Sequence, residues 1–346
     1  MSLFLEEMFD QPRAVRDTTA SYLNVRGEVE GLVERLSRGE FRRIIMTGMG
    51  NSYYALLPSW IKLNKAEFNI QMVETSELLY YMLDALKGSV TVVVSRSGET
   101  VEAVKLAEAV PKSTFIVAVT DNPKSTLASK SNLIVPTKAG EEHLAASKSH
   151  LALLTALHML SADFAREDVD YEREKLLKVA DIIENYQRRG LNESKYIGER
   201  LAKCSSIVIV SRGPTVSSAY TGALIMKEMA KIHCEGYSAA QFRHGPMEIL
   251  GPTTGVIVMS GPKETRRLNV KMASDATEIG SPTVLIDYGK EGRLENCMLI
   301  EVDEPPDSYT DALVELPPIY ALTYHIALER KAPLKFIKTG KVTYVE

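Results

Sequence analysis

The sequence predicts an α/β protein made of two tandem copies of one parallel-sheet domain. Its 346 residues are too many for one ordinary domain. Short apolar segments rich in β-branched residues alternate with helical patterns, which is typical of βαβ units and a parallel sheet. The same order of segments occurs twice along the chain, and a period of this kind indicates a duplicated domain.

The first copy follows a helical region over residues 1–37, in which Pro12 lies near a helix boundary. A short strand from Ile44 to Met46, a glycine loop and a helix occupy "RRIIMTGMGNSYYALLPSWIKL". The segments "GSVTVVVSRSGETVEAVKLAEAV" and "TFIVAVTDNPKSTLA" repeat this order, the second with a turn at "DNP". "NLIVPT" predicts another strand, and "HLAASKSHLALLTALHMLSADFA" predicts a long helix.

The second copy follows a charged stretch, residues 166–200, which we expect to be a helical connector. The strand units in "SSIVIVSRGPTVSSAYTGALIMKEMA", "GVIVMSGPKETRRLNVKMA" and "PTVLIDYGKE" then match those of the first copy. Val210 corresponds to Met46 and Val258 to Val94, an offset of about 164 residues each time. "ALVELPPIYALTYHIALERKAPL" predicts a closing helix, and the polar tail "KTGKVTYVE" follows it.

Composition excludes several classes of function. The net charge is −4 without a basic block, so nothing indicates nucleic-acid binding. No apolar run approaches the roughly 20 residues of a membrane span, and the acidic N-terminus "MSLFLEEMFDQP" does not resemble a signal peptide. Cys204, Cys234 and Cys297 lack the spacing of a disulfide framework or a zinc site. We therefore expect a cytoplasmic protein.

The polar loop "SRSGET" follows a buried strand and leads into a helix. Ligands of open parallel sheets bind at the carboxyl ends of the strands. A helix starting near Glu99 offers N–H groups and a partial positive charge that suit an anion, and Arg96 adds a full charge. The alternative is that Ser97 or Thr100 only caps the helix.

Two further loops bear on this choice. "GMGNSYY" places Asn51 and Ser52 between a strand and a helix, and "HLAASKSHLAL" places Ser147, Lys148 and Ser149 at a third helix start. Three hydroxyl-rich helix starts within one domain favour a phosphate pocket over three unrelated caps.

These motifs resemble those of the SIS (sugar isomerase) domain family, which binds phosphosugars. "GMGNSY", "SRSGET" and "AASKS" are similar to its loops, while "KEMAKIHCEGYSAAQFRHGP" and "KVTYVE" look like the isomerase half of glucosamine-6-phosphate synthase. The resemblance covers about residues 40–346 and implies a flavodoxin-like five-stranded parallel sheet between helices in each half. It suggests SIS domains over 38–165 and 201–330, flanking the connector, and a C-terminal active-site tail over 331–346.

The resemblance also implies roles for individual residues. Glu228 moves a proton between sugar carbons, His244 helps to open the sugar ring from a partner subunit, and Lys341 forms an imine with the open-chain ketose. The residues implied to hold the sugar phosphate are Ser52, Ser95, Ser97, Thr100 and Ser147, with Asn51 and Arg96 beside them.

The chain departs from the synthase pattern at two positions. Ile225 stands where the synthase has a lysine three residues before the catalytic glutamate, which weakens the case for synthase-type chemistry. Arg96 stands where the phosphate loop usually has glutamine, and its charge could read a phosphate or a carboxylate of the substrate. Ser2 and the short segment before the first SIS unit predict that the chain has no glutaminase domain and does not make ammonia from glutamine.

The function expected from these residues is a phosphosugar isomerase/deaminase, specifically an aminosugar-6-phosphate deaminase that converts glucosamine 6-phosphate into fructose 6-phosphate and ammonia. A fructosamine-6-phosphate deglycase, a simple phosphosugar isomerase and a non-catalytic phosphosugar-binding regulator are the alternatives. We expect a homodimer with shared active sites, whose chemistry needs neither a metal nor an organic cofactor.

Overall fold

The structure is a computed structural model. It describes residues 2–66, 68–289 and 293–338. These residues form two compact units, each containing one parallel sheet. The first unit consists mainly of Arg13–Glu142 and Lys148–Leu177. The second consists mainly of Lys178–Phe336, together with residues 2–12 and His143–Ser147.

The first sheet has five strands in the order β2-β1-β3-β4-β5, and every neighbouring pair is parallel. The strands are β1 (Arg43–Gly48), β2 (Ile70–Glu74), β3 (Ser89–Val94), β4 (Phe115–Thr120) and β5 (Leu133–Pro136). Gly48 pairs with Val94 and Val94 pairs with Val119, so the loops that follow β1, β3 and β4 start side by side. This register gathers the polar loops at the carboxyl edge of the sheet.

Helices cover both faces of this sheet, as a parallel sheet requires. The helical elements of the chain up to residue 201 are α1 (Leu3–Phe9), α2 (Gln11–Tyr22), α3 (Arg26–Ser37), α4 (Asn51–Tyr54), α5 (Leu56–Asn64), α6 (Thr75–Tyr81), a 3₁₀ turn (Leu83–Leu86), α7 (Val101–Ala109), α8 (Thr126–Ser129), α9 (Ser149–Phe164) and α10 (Val169–Leu201). Of these, α1 and the part of α10 from Lys178 onward belong to the second unit. Every residue of α9 is buried, and its polar side chains His158 and Asp163 are hydrogen-bonded within the core. The expected charged connector is helical as α10, whose residues are divided between the two units.

The second sheet has the strand order β10-β9-β8-β6-β7 and is also parallel throughout. Its strands are β6 (Ser206–Ser211), β7 (His233–Ser238), β8 (Thr254–Met259), β9 (Thr283–Asp287) and β10 (Met298–Glu301). Read from the opposite edge, this order is the same as in the first sheet. The predicted duplication and the α/β fold with two five-stranded parallel sheets are therefore confirmed.

The helical elements of the second unit include a π-helical turn at the end of α11. They are a 3₁₀ turn (Gly213–Thr215), α11 (Val216–Ile225), a π-helical turn (Met226–Ala230), α12 (Ala239–Phe242), a 3₁₀ turn (Pro246–Ile249), α13 (Arg266–Glu278) and α14 (Asp311–Glu329). The π-helical turn continues α11 directly, and single π turns inside helices are frequent at functional sites. Within the described ranges, no helix has the length and apolar character needed to cross a membrane.

Candidate active site

The loop that follows β3 is closed by its own hydroxyl groups. The Ser95 side chain is buried, and its Oγ lies 3.0 Å from Oγ1 of Thr100. Ser95 Oγ also accepts a hydrogen bond from the Gly98 N–H at 3.2 Å, and Ser97 Oγ accepts one from the Glu99 N–H at 3.2 Å. The predicted hydroxyl groups therefore converge on one loop at the carboxyl edge of the sheet.

The alternative role of these hydroxyls is to cap the next helix, and Thr100 does not have this role. This residue precedes α7 at the N-cap position, yet its side chain makes no capping hydrogen bond to the helix. Its Oγ1 faces Ser95 instead, and Ser97 Oγ binds the N–H of a loop residue rather than one of α7. The start of α7 is at Val101, two residues later than the sequence pattern predicts.

Gly98 is required by the way this loop packs. Its φ is +66°, and a Cβ there would lie 2.0 Å from Oγ of Ser125, closer than real Cβ atoms approach. Glu99 ties the loop to the same segment, because its Oε1 accepts a hydrogen bond from the Thr126 N–H at 2.8 Å. The loop is thus fixed against the segment between β4 and α8.

The turn between β1 and α4 lies beside this loop. Gly50 adopts φ +52°, and α4 begins at Asn51, whose buried Oδ1 has no hydrogen-bond donor among the described residues. Ser52 is half-buried on the same turn. The ring of His150, on the first turn of α9, hydrogen-bonds the Asn51 backbone, and burial lowers the pKa of His150 to about 3. His150 is therefore neutral at physiological pH and anchors this turn.

The third predicted helix start is engaged by acidic side chains. Ser147 is fully buried in the second unit, and its Oγ donates a hydrogen bond to Oε2 of Glu7 at 2.9 Å. In the first unit, Glu142 accepts hydrogen bonds from the N–H groups of Lys148 and Ser149. Glu7 was not singled out from the sequence because it lies 140 positions from Ser147. Glu142 was not singled out because it lies six and seven residues before the N–H groups that it binds, a spacing outside the usual capping motifs.

Glu228 lies on the π-helical turn of the second unit. Its side chain is half-buried, whereas Met226 and Met229 on the same turn are fully buried in the core. Lys231 adopts φ +54° directly after this turn, and its Nζ donates hydrogen bonds to the carbonyl oxygens of Glu228 and Lys335. Lys231 thereby fixes the backbone that carries Glu228.

The other two predicted catalytic residues are His244 and Lys341. His244 is exposed on the turn after α12, where its N–H donates to the Gln241 carbonyl and Gly245 follows with φ +122°. Lys341 lies outside the described residues. Ile225 is completely buried at the end of α11, so it contributes an apolar side chain to the core.

The comparison with protein families decides the classification. The model of the SIS domain matches residues 40–162 and 200–315, which contain all ten strands described above. The chain belongs to the SIS family. Two SIS repeats account for the duplicated strand order and for the polar loops at the carboxyl edge.

Curated relatives and solved structures agree with this assignment. The glutamine–fructose-6-phosphate aminotransferase [isomerizing] of Sulfurisphaera tokodaii is 30% identical over 266 residues, which cover 76% of this SIS protein and 44% of the relative. The chain spans about half the length of the curated relatives it matches, and it is homologous to their isomerase domain.

Two solved structures illustrate the shared fold. The C-terminal domain of glucosamine-fructose-6-phosphate aminotransferase from Francisella tularensis matches with a TM-score of 0.87 at 22% identity, covering 97% of this chain and 98% of that one. Glucosamine-6-phosphate deaminase from Thermotoga maritima matches with a TM-score of 0.71 at 19% identity, covering 96% and 98%. At these identities the likeness concerns the fold alone.

In the second SIS repeat, a buried glutamate binds the loop that corresponds to "SRSGET". In "SGPKET", between β8 and α13, the Gly261 N–H donates a hydrogen bond of 2.8 Å to Oε1 of Glu315, a completely buried residue of α14. The Tyr288 hydroxyl donates to the same oxygen at 3.1 Å. Burial, reinforced by the neighbouring Asp311, raises the pKa of Glu315. A buried carboxyl group of the same unit thus accepts a hydrogen bond from this loop of the second repeat.

Proposed function

We propose that this SIS protein is a phosphosugar isomerase/deaminase that converts glucosamine 6-phosphate and water into fructose 6-phosphate and ammonia. The observation that carries the proposal is the hydroxyl-lined loop from Ser95 to Thr100, whose side chains face one another at the carboxyl edge rather than capping α7. An uncapped helix start next to convergent hydroxyls suits a phosphate. Homology to an isomerase domain supports the sugar chemistry.

In this proposal the phosphate anchors the sugar to the first SIS repeat. Ser95, Ser97 and Thr100 supply hydroxyl groups, and the start of α7 supplies backbone N–H donors and the positive end of its dipole. Asn51 and Ser52 form the neighbouring wall, since Gly48 and Val94 are paired in the sheet. The proposed role of Ser147 is the least supported, because its hydroxyl donates to Glu7.

The proposed chemistry is a proton transfer between C1 and C2 of the open-chain sugar. His244 assists ring opening, which exposes an aldehyde at C1 beside the amine at C2. Glu228 removes the proton from C2 and returns it at C1, while a proton passes from the amine nitrogen to the C1 oxygen, which leaves a hydroxyl group at C1 and an imine at C2. Water adds to this carbon and ammonia leaves. The half-buried position of Glu228, on a turn whose backbone accepts a hydrogen bond from Lys231, supports its role as the base.

Arg96 favours a second candidate, a fructosamine-6-phosphate deglycase. About one third of its side chain is exposed, so the guanidinium group can reach a carboxylate carried by the amine of the substrate. A deglycase moves the proton in the opposite direction, from C1 to C2, and hydrolysis of the resulting imine at C1 releases an amino acid in place of ammonia. Arg96 is therefore the residue on which the choice of amine is proposed to depend.

The test is an ammonia assay on purified protein supplied with glucosamine 6-phosphate, with glucosamine and the Glu228→Gln variant as controls. Release of ammonia together with fructose 6-phosphate supports the deaminase. Amino acid released only from a fructosamine 6-phosphate identifies a deglycase, and interconversion of glucose 6-phosphate and fructose 6-phosphate alone identifies a simple isomerase. Tight phosphosugar binding without turnover identifies a regulator.

A further inference from the structure

The Glu142 carboxylate organises the start of α9 in the first SIS repeat. Its side chain is only 2% exposed. Oε1 accepts hydrogen bonds from the N–H groups of Lys148 at 2.8 Å and Ser149 at 3.0 Å, and Oε2 accepts one from Ser149 Oγ at 2.5 Å. Lys148 occupies the N-cap position of α9 and provides no side-chain cap of its own. Glu142 supplies that cap from the preceding loop.

The same carboxylate faces the phosphate loop. Its Oε2 lies 4.0 Å from Nη2 of Arg96. The Arg96 backbone is already fixed, because its carbonyl oxygen accepts hydrogen bonds from the Asp121 N–H at 3.0 Å and from Thr120 Oγ1 at 3.1 Å. What remains to be set is the direction of the long Arg96 side chain, and among the described residues Glu142 is the acid paired with it.

We propose that Glu142 is a positioning residue, which holds the Arg96 guanidinium ready for the anionic group of the substrate. This inference rests on the proposed function of the loop from Ser95 to Thr100. Fixing an arginine in advance lowers the side-chain entropy that binding would otherwise cost. Arg96 then contributes to sugar-phosphate affinity only while Glu142 holds it.

Glu142 can orient Arg96 without cancelling its charge. The carboxylate already accepts three hydrogen bonds at the start of α9, and the positive end of the helix dipole offsets part of its negative charge. The separation of 4.0 Å is longer than a direct hydrogen bond, so the donors of Arg96 stay available to a second anion. The pair is thus suited to guide an anion rather than to exclude it.

The experiment is a double-mutant cycle on the full chain with Glu142→Gln, Arg96→Gln and both together. Binding of fructose 6-phosphate and of inorganic phosphate is measured by calorimetry, and kcat and KM follow with glucosamine 6-phosphate. Glutamine keeps an oxygen for the α9 N–H groups and removes the charge beside Arg96. We expect E142Q to weaken sugar-phosphate binding about five- to tenfold when Arg96 is present and less than twofold in R96Q, with kcat unchanged.

The outcomes separate positioning from simple helix capping. An equal loss in both backgrounds, accompanied by a lower Tm, would show that Glu142 only stabilises α9 and would overturn the inference. Glu141→Gln, at the exposed neighbouring position, controls for general surface charge. If E142Q does not fold, Glu142→Asp replaces it in the cycle. Aspartate keeps the charge but shortens the side chain, so Glu142→Asp should lose sugar-phosphate affinity only when Arg96 is present. A wild-type chain that binds no sugar phosphate refutes the proposed function itself.

Discussion

The hydroxyl oxygens of Ser95 and Thr100 lie 3.0 Å apart across the loop that follows β3. The Thr100 side chain makes this contact and does not cap α7. A helix cap typically contributes about 1 kcal/mol to stability. Because no such cap is formed by Thr100, these hydroxyls are expected to matter for ligand binding more than for folding.

The first prediction follows from that contact. Replacing Ser97 and Thr100 together by alanine should weaken binding of a sugar 6-phosphate at least tenfold, on the order of 1.4 kcal/mol, while Tm changes little. Calorimetry and thermal denaturation measure the two effects. Ser129→Ala, which removes an exposed hydroxyl on α8, is the matched control. Equal affinity for the sugar with and without its phosphate would rule out this anchor.

The second prediction concerns Glu228. Glu228→Gln should reduce kcat by about 10²–10⁴-fold, the usual contribution of a positioned base, and leave sugar-phosphate affinity nearly unchanged. Glu248→Gln, which alters an exposed acid on the nearby 3₁₀ turn, is the control and should retain full activity. A Glu228→Gln enzyme with wild-type kcat would assign the proton transfer to another group.

The third prediction concerns Lys341. If its amine forms an imine with the sugar, borohydride should trap a substrate adduct on wild-type protein and on Lys338→Ala, and none on Lys341→Ala. Mass spectrometry of the C-terminal peptide detects the adduct. Full activity of Lys341→Ala beside an inactive Glu228→Gln would show that the reaction proceeds through the amine of the substrate, without a lysine imine.

The fourth prediction tests the proposed homodimer with shared sites. His244 is exposed on its turn, as a residue that serves a neighbouring subunit would be. Glu228→Ala and His244→Ala chains mixed in equal amounts should regain about a quarter of the wild-type activity, because half of the dimers are then mixed and each mixed dimer has one site with both residues. Native mass spectrometry confirms subunit exchange. Inactive mixtures after confirmed exchange would argue for sites within single chains.

The fifth prediction is a pH dependence of stability that arises from Asp311. Burial raises the pKa of this carboxyl to about 8 from 3.8, in surroundings that include Tyr288, Arg266 and Glu315. Its protonated form is favoured in the folded state, so its contribution to stability is complete below about pH 4 and is lost as the pH rises through about 8. The slope can reach about 1.4 kcal/mol per pH unit.

Urea denaturation between pH 5 and 8.5 measures this effect. Asp311→Asn cannot ionise, so its free energy of unfolding should fall less steeply with rising pH than that of the wild type. Asp303→Asn, at an exposed position, should follow the wild-type curve. Parallel curves for Asp311→Asn and wild type would show that Asp311 does not carry a raised pKa.

Much of the fold was predictable because it depends on local sequence. Segments such as "SVTVVV" and "SIVIVS" are apolar enough to be strands by themselves, and the polar loops that follow them mark one sheet edge. Duplication added a second, independent indication. The strands β2, β7 and β10 were not predicted, because each of these edge strands is partly exposed and contains polar residues.

The sequence by itself determined the parallel α/β architecture, its repetition, and the loops that carry the candidate site. Only the tertiary structure decided which partners those loops have. Thr100 contacts Ser95 instead of capping α7, and Glu142 caps α9. Glu315 accepts a hydrogen bond from Gly261, 54 residues earlier in the sequence. Such contacts depend on which strand ends become neighbours in the sheet. That arrangement comes from the packing of the whole unit, because a carboxylate in the sequence carries no local mark of the N–H group it will meet.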